Sequence, residues 1–353
     1  MRQTLLWAQD VIGPTVIVRE LPGGSYNDNV QVRTASGRDY IIRLRRRGVR
    51  ELDLRVLPEF EIVSAVSSIP EAAAHVPIAV AKNEDLDAAL YTYVGRVSLN
   101  DVSPKGTPLD RQCLESIATI SGAVARVPEP TLAHWKTYQN SRFAILGIGP
   151  DENTYSIVRA VLIETYERMR AQDDDVLTAL GLPSVEQLTS LTEAAVHERK
   201  PVLAHGDIHR RNLRAGAIPG QVQLIDWEMA LVGDAVYDLA VALWKLKLTS
   251  RDQQTFLKLW ESMLPPDRTD GWSEDVWTYS RLESLKTAIV HVYRSADALG
   301  AQPSSAKLIA QRWLADRNAV RELVGDASLD EELVVRQLAR VKPHMSGNWN
   351  SPR

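Results

Sequence analysis

The chain of 353 residues has one cysteine, Cys113, and a net charge of only −4. A lone cysteine excludes an intramolecular disulfide and fits a reducing compartment. No apolar run approaches the roughly 18 residues of a membrane-crossing helix, and Asp10 interrupts any charged-then-apolar signal pattern at the N-terminus. A cytoplasmic protein without a membrane partner is expected. The small net charge gives no basic surface for nucleic acid. The one basic run, Arg43, Arg45, Arg46, Arg47 and Arg50, reads mostly as a solvated loop, part of which could face phosphate. Gly-x-x-x-x-Gly-Lys-Ser/Thr is missing, which argues against a P-loop. There is no internal repeat and no low-complexity tract, and nothing in the sequence fixes an oligomeric state.

What is present is concentrated between residues 205 and 240. His205-Gly-Asp-Ile-His-Arg-Arg-Asn212 is followed by Leu224-Ile-Asp226-Trp-Glu228 and by Gly233-Asp-Ala-Val-Tyr-Asp238-Leu-Ala240. Asp207 and Asn212 stand five residues apart in a predicted loop, so one side chain can meet a hydroxyl while the other turns toward a metal. Asp226 ends the apolar run Val222-Gln-Leu-Ile225, which reads as a short strand. Magnesium is a hard ion that takes a few protein oxygens and completes its shell with phosphates and water. Phosphoryl transfer is mostly positioning and charge neutralisation. Asn212 and Asp226 fit the metal and Asp207 fits the acceptor hydroxyl. Taken alone, Asp226 could equally be a turn residue, and His205 with His209 could begin a zinc site, although no further ligand cluster completes one.

These three blocks resemble the aminoglycoside phosphotransferase family, the kinase-like group that includes macrolide, choline and homoserine kinases. The match to His-Gly-Asp-x-His-x-x-Asn is ungapped. The resemblance implies an α+β, two-lobed protein-kinase-like fold, with a small antiparallel-sheet N-lobe and a larger, mainly helical C-lobe. It places the nucleotide lobe at 1–94, a connector at 95–104, the helical lobe with the catalytic loop and acceptor pocket at 105–342, and a flexible tail at 343–353. It implies Asp207 as the catalytic residue, Asn212 and Asp226 as magnesium ligands, and ATP or GTP as donor to a small-molecule hydroxyl. An antibiotic is the leading acceptor. A metabolite such as choline, homoserine or a sugar remains open, as does a nucleotide-binding module without turnover.

The N-terminal residues agree with this. Thr15–Val18, Asn29–Arg33 and Tyr40–Leu44 read as three strands, and the turn Gly23-Gly24-Ser25 suits a lid whose amides approach phosphate. Arg43 stands where related strands carry a phosphate-binding lysine, and its fork can grip phosphate. Its expected helical partner is Glu59, with Glu61 as the alternative. Leu90–Gly95 reads as an edge strand opening into the connector, with Tyr93 and Val94 as nucleobase contacts. Helical spacing dominates beyond residue 105, including a helix from Ala235 to Leu248 and another capped by Ser273. Asp234 and Asp238 read as structural. Glu228, Trp244, Trp272, Trp277 and Tyr293 are candidate acceptor contacts, each weighed against plain core packing.

Overall fold

The computed structural model describes residues 2–21, 27–45, 55–95, 97–216, 218–325 and 329–341. Gly23, Gly24, Ser25, Arg46, Arg47, Arg50 and the tail 343–353 lie outside these residues. Five antiparallel strands form the N-terminal sheet: β1 (Thr15–Leu21), β2 (Asn27–Thr34), β3 (Asp39–Arg45), β4 (Ala79–Asn83) and β5 (Ala88–Thr92), in the order β1-β2-β3-β5-β4. Alternation along the strands divides the sheet's two faces. Val30, Val32, Ile42 and Leu90 pack with Ala8 of the helix Arg2–Ile12 in a small core. Arg43, next to Ile42, belongs to the opposite face. That face receives the helix Glu59–Ser67, which buries Ile62, Val63 and Val66. Glu59 and Glu61 stand in its first turn, where carboxylates favour the positive end of the helix dipole.

Two expectations change here. The strand over Leu90 is internal, between β3 and β4, and β4 is the edge. The short β4, Ala-Val-Ala-Lys-Asn, is too brief to announce itself. The helix Arg2–Ile12, which was not expected, buries only Thr4 and Ala8, too narrow a stripe to give a periodic signal.

The C-terminal part is largely helical, with two short ladders set among the helices. β6 (Val202–Ala204) pairs with β9 (Leu231–Gly233), and β7 (Leu213–Ala215) with β8 (Val222–Leu224). The loop 205–212 joins β6 to β7, and Asp226 follows β8. Leu213 lies opposite Leu224, and Ile225 donates its N–H to the Asn212 carbonyl at 2.9 Å. Asn212 and Asp226 therefore leave the same end of one ladder.

Beneath them runs the helix Ala235–Leu246, buried over Ala235–Ala242 and apolar almost all round, as an interior helix is. It packs along the helix Trp272–Ala301. Two helix boundaries differ from expectation. The first helix stops at Leu246 because Lys247 turns left-handed, with φ 49°. The second is entered through Gly271, also left-handed with φ 61°, so Ser273 sits inside the first turn and does not cap it. Of the residues whose helical spacing reads as core, Leu114, Ile117, Val124, Val127, Ile157, Val161, Met169 and Leu188 are buried, whereas Val185 is half-buried and Ala195, past the helix that ends at Leu191, is exposed. Among the described residues no helix is long and apolar enough to cross a membrane.

Arg210 ties the parts together from inside. It is fully buried, and its guanidinium donates to the carbonyls of Leu246, Ser103, Pro104 and Thr107 at 2.6–2.9 Å. It thereby clamps the segment 103–107 against the end of the central helix. Replacing Arg210 by Met would strand these buried carbonyls, and charged hydrogen bonds contribute about 1.5–3 kcal/mol each. Arg210→Met is expected to lose at least about 3 kcal/mol in chemical denaturation.

Candidate active site

The loop 205–212 is shaped by its backbone partners before any side chain is aimed. Gly206 is left-handed, and a Cβ there would meet the Met229 carbonyl oxygen at 2.5 Å. Glycine is required twice over, for its conformation and for the close approach. Asp238, in the first turn of the central helix, accepts the His205 N–H at 3.0 Å with Oδ2 and the Gly206 N–H at 2.9 Å with Oδ1. Burial pushes the Asp238 carboxyl up to about 6 despite these two bonds. Asp234 caps the helix by accepting the Val236 N–H, and it also takes Arg199 and the Tyr279 hydroxyl. Both aspartates are structural, as their sequence positions suggested.

His205 locks the other side of the loop. Its Nδ1 accepts the Asp207 N–H at 3.2 Å, and Nε2 lies 3.1 Å from the Ile225 carbonyl oxygen. The hydrogen bond at one ring nitrogen fixes the tautomer at the other, so Nε2 carries the hydrogen and donates. The ring meets Trp227 edge to face, 4.6 Å between centroids. Burial lowers its pKa to about 4, outweighing the nearby Asp207 and Asp226. The ring is thus a neutral strut between the loop and the strand end carrying Asp226.

Asp207 meets three groups. Lys245 donates to Oδ1 at 2.7 Å. Asn212 Nδ2 lies 3.3 Å from Oδ2, and His209 Nε2 lies 3.5 Å from the same oxygen. Burial resists the charge, but Lys245 and His209 outweigh it and hold the carboxyl well below the usual carboxylate range, as nearby cations do.

Across the ladder end, Asp226 is in the left-handed region, φ 70° and ψ 61°, a conformation disfavoured for residues with a Cβ. Arg43 reaches from β3 to its Oδ1 at 2.7 Å and to Glu59 Oε1 at 2.9 Å. Glu59 also accepts the Trp227 N–H at 3.0 Å. Glu61 pairs with Lys82 instead, so Glu59 is the partner of Arg43. Glu228 Oε2 accepts from Asn27 Nδ2 at 2.9 Å and lies 3.8 Å from Arg43. One guanidinium thus faces three carboxylates. Burial, with Asp226 alongside, pushes Glu228 up to about 7 against the pull of Arg43. Burial also raises the Glu59 carboxyl.

The donor set suits a hard divalent cation. Asn212 turns its Nδ2 toward Asp207, which directs Oδ1 the other way, and Arg43 takes only Oδ1 of Asp226. An amide oxygen and a carboxylate oxygen fit magnesium, a hard ion. The zinc alternative does not fit. Both nitrogens of His205 are engaged, and among the described residues no three of His, Cys, Asp and Glu are arranged to hold a metal ion.

The remaining candidates separate. The Tyr93 hydroxyl accepts from Arg19, and Tyr93 donates its N–H to the Asp39 carbonyl. Val94 follows, half-buried, where the connector begins to run beside β7. Trp244 is half-buried on the central helix, bonded to Thr287, with Lys247 Nζ 3.4 Å from its ring centroid. Tyr293 is buried and donates to Asp173, and Trp272 packs on Trp260. Neither of these two partners belongs to the loop 205–212. Trp277 is exposed. Lys245, with Glu283 behind it, went unread. The available signal was its place seven residues after Asp238, two turns on along the same helix face.

A family model described as the phosphotransferase enzyme family matches residues 17–272. Among solved structures, an ethanolamine kinase from Plasmodium vivax is similar with a TM-score of 0.57 at 11% identity, over 94% of this chain and 84% of that one. The aminoglycoside phosphotransferase APH(4)-Ia is similar with a TM-score of 0.53 at 15% identity, over 96% and 99%. A ternary complex of streptomycin, ATP and APH(2")-IIa is similar with a TM-score of 0.52 at 14% identity, over 82% and 90%. No curated protein sequence is similar enough to count as a match.

The neutral strut gives a pH test. The folded pKa of His205 is lowered from 6.5 to about 4. A histidine lowered in this way stabilises fully above its unfolded value, and that stability is lost as pH falls toward the folded value. At about 1.4 kcal/mol per unit, wild type is expected to lose about 3 kcal/mol relative to His205→Gln between about pH 7.5 and pH 4. Urea denaturation of both proteins across that range measures it.

Proposed function

The chain belongs to the phosphotransferase enzyme family, and from that premise we propose that it transfers the terminal phosphoryl group of ATP or GTP to a hydroxyl of a small molecule. The observation that carries this reading is the meeting of Asp207, Asn212 and Asp226 at the ends of two ladders, with an ionised carboxylate on one side and hard oxygen donors on the other. The acceptor hydroxyl hydrogen-bonds to Asp207. As its oxygen forms the new bond to phosphorus, the bond from phosphorus to the bridging oxygen breaks. The hydroxyl proton passes to Asp207, and the nucleoside diphosphate leaves. Asn212 Oδ1 and Asp226 would hold magnesium, which would supply positive charge to the phosphates when bound. Arg43 steadies the phosphates as a fixed cation. Tyr93 and Val94 meet the nucleobase. The division into a nucleotide lobe at 1–94, a connector at 95–104 and a helical lobe at 105–342 belongs to the same proposal.

For the acceptor, an antibiotic is the first choice, supported by the likeness to two aminoglycoside phosphotransferases. Trp244, half-buried next to Lys245 on the central helix, is the aromatic candidate for a bulky ligand. A metabolite alcohol of the choline, homoserine or sugar type is the second reading, favoured by the likeness to an ethanolamine kinase. A binding module without turnover has no use for a carboxylate held ionised by a half-buried lysine.

A nucleotide-consumption screen over antibiotics and small alcohols, with mass spectrometry for an added phosphate, tests the reading. Asp207→Ala is expected to cut transfer by about 10²-fold or more, as loss of a positioned proton acceptor does, with nucleotide affinity largely kept. Asp226→Ala is expected to abolish the magnesium-dependent part of nucleotide binding in calorimetry. Transfer surviving Asp207→Ala would remove the assigned role.

A further inference from the structure

Behind the loop lies a chain of charges for which the reaction scheme above has no role. Lys245 Nζ sits 2.7 Å from Asp207 Oδ1 and 3.0 Å from Glu283 Oε1. The Glu283 side chain is wholly buried, and its other oxygen is paired with Lys286, whose Nζ is also 3.2 Å from the Tyr237 hydroxyl. Two carboxylates and two ammonium groups thus alternate from the catalytic loop into the helix Trp272–Ala301. Lys245 cannot swing away freely, because its departure would leave Glu283 buried with one cation fewer. The end of the chain at Asp207 is therefore fixed from within the core.

That fixing makes the two oxygens of Asp207 unequal. Oδ1 is committed to an ammonium at short range. Oδ2 has only Asn212 at 3.3 Å and His209 at 3.5 Å, both long for hydrogen bonds. The loop backbone, set by Asp238 and His205, places the Asp207 Cα but does not choose the rotation of its carboxylate. We propose that Lys245 is a positioning residue for transfer: anchored on Glu283, it holds Oδ1 of Asp207 so that Oδ2 is the oxygen presented to the acceptor hydroxyl. The idea rests on the phosphotransfer reading above and adds to it which oxygen takes the proton and what aims it. A rotation of this carboxylate by a fraction of its width would misplace the hydroxyl by about 1 Å, and misplacement on that scale costs on the order of 10²-fold in rate.

Wild type, Lys245→Met, Lys245→Arg and Lys286→Met can be compared in magnesium–ATP turnover with water as acceptor, read as phosphate release, alongside thermal melting. Lys245→Met is expected to lower kcat by about 10–100-fold with the KM for ATP unchanged, and Lys245→Arg to recover part of it. Lys286→Met takes the other cation from the same glutamate without touching Asp207. It is expected to lower the Tm while keeping kcat close to wild type. Equal losses of kcat in Lys245→Met and Lys286→Met, or wild-type kcat in Lys245→Met, would overturn the proposal. If wild type releases no phosphate from ATP or GTP and the acceptor screen finds no phosphorylated product, the phosphotransfer reading fails instead. A crystal structure of Lys245→Met then decides the role of the lysine: an Asp207 carboxylate turned from its present rotamer supports the hold, and an unmoved one refutes it.

Discussion

Everything at the site hangs on one carboxylate that never meets substrate. Asp238 takes the N–H groups of two consecutive loop residues, one on each oxygen. An unpaired buried N–H is costly, so this pair fixes where the loop leaves β6. The loop needs such an anchor because Gly206 is left-handed, and a glycine is otherwise free to adopt many conformations. The same helix that carries Asp238 presents Lys245 two turns later. One rigid rod therefore sets the Asp207 backbone with its first turn and reaches the Asp207 side chain with its last. Arg210 fastens the far end of that rod to the segment 103–107.

His205 extends the constraint across the ladder. By accepting from Asp207 and donating to Ile225, it spans the two strand ends that deliver the proposed base and the proposed metal ligand. A charged imidazolium would have no acceptor lone pair for the Asp207 N–H. The burial that keeps the ring neutral is therefore part of its structural task.

The residues of the candidate site are legible in the sequence because they are contiguous. His205 to Asn212 and Ile225 to Glu228 stand in fixed short spacings, and the strands around Arg43 alternate cleanly. The choice between Glu59 and Glu61 was not legible, since residues two apart in a helix first turn differ only in direction, and direction depends on how the helix docks on β3. The internal place of β5 was hidden for a similar reason: strand order is set by partners far along the chain. Tyr293 and Trp272 have the composition of a pocket, but Asp173 and Trp260 hold them in packing contacts. Lys245 looked like a solvated lysine near a helix end. Only the approach of Glu283, from a helix much further along the chain, gives it a reason to turn inward.

The two halves of the site differ in how their carboxylates are held, and the difference suits the roles proposed for them. Around Asp207, the carboxylates of Asp207 and Glu283 are matched by the ammonium groups of Lys245 and Lys286. Around Asp226, the carboxylates of Asp226, Glu59 and Glu228 gather on the single guanidinium of Arg43. Arg55 adds its charge near Glu228 and Arg214 near Asp226, so cations and acids are comparable in number on this side too. What this side offers a divalent cation is its donors: Arg43 takes Oδ1 of Asp226 at 2.7 Å and leaves 28% of that side chain exposed, and hard oxygens suit magnesium. On the other side a metal would have to compete with an ammonium already 2.7 Å from Asp207. This arrangement suits the proposed reaction, in which Asp226 and Asn212 would hold the metal while Asp207, held ionised, would accept the proton.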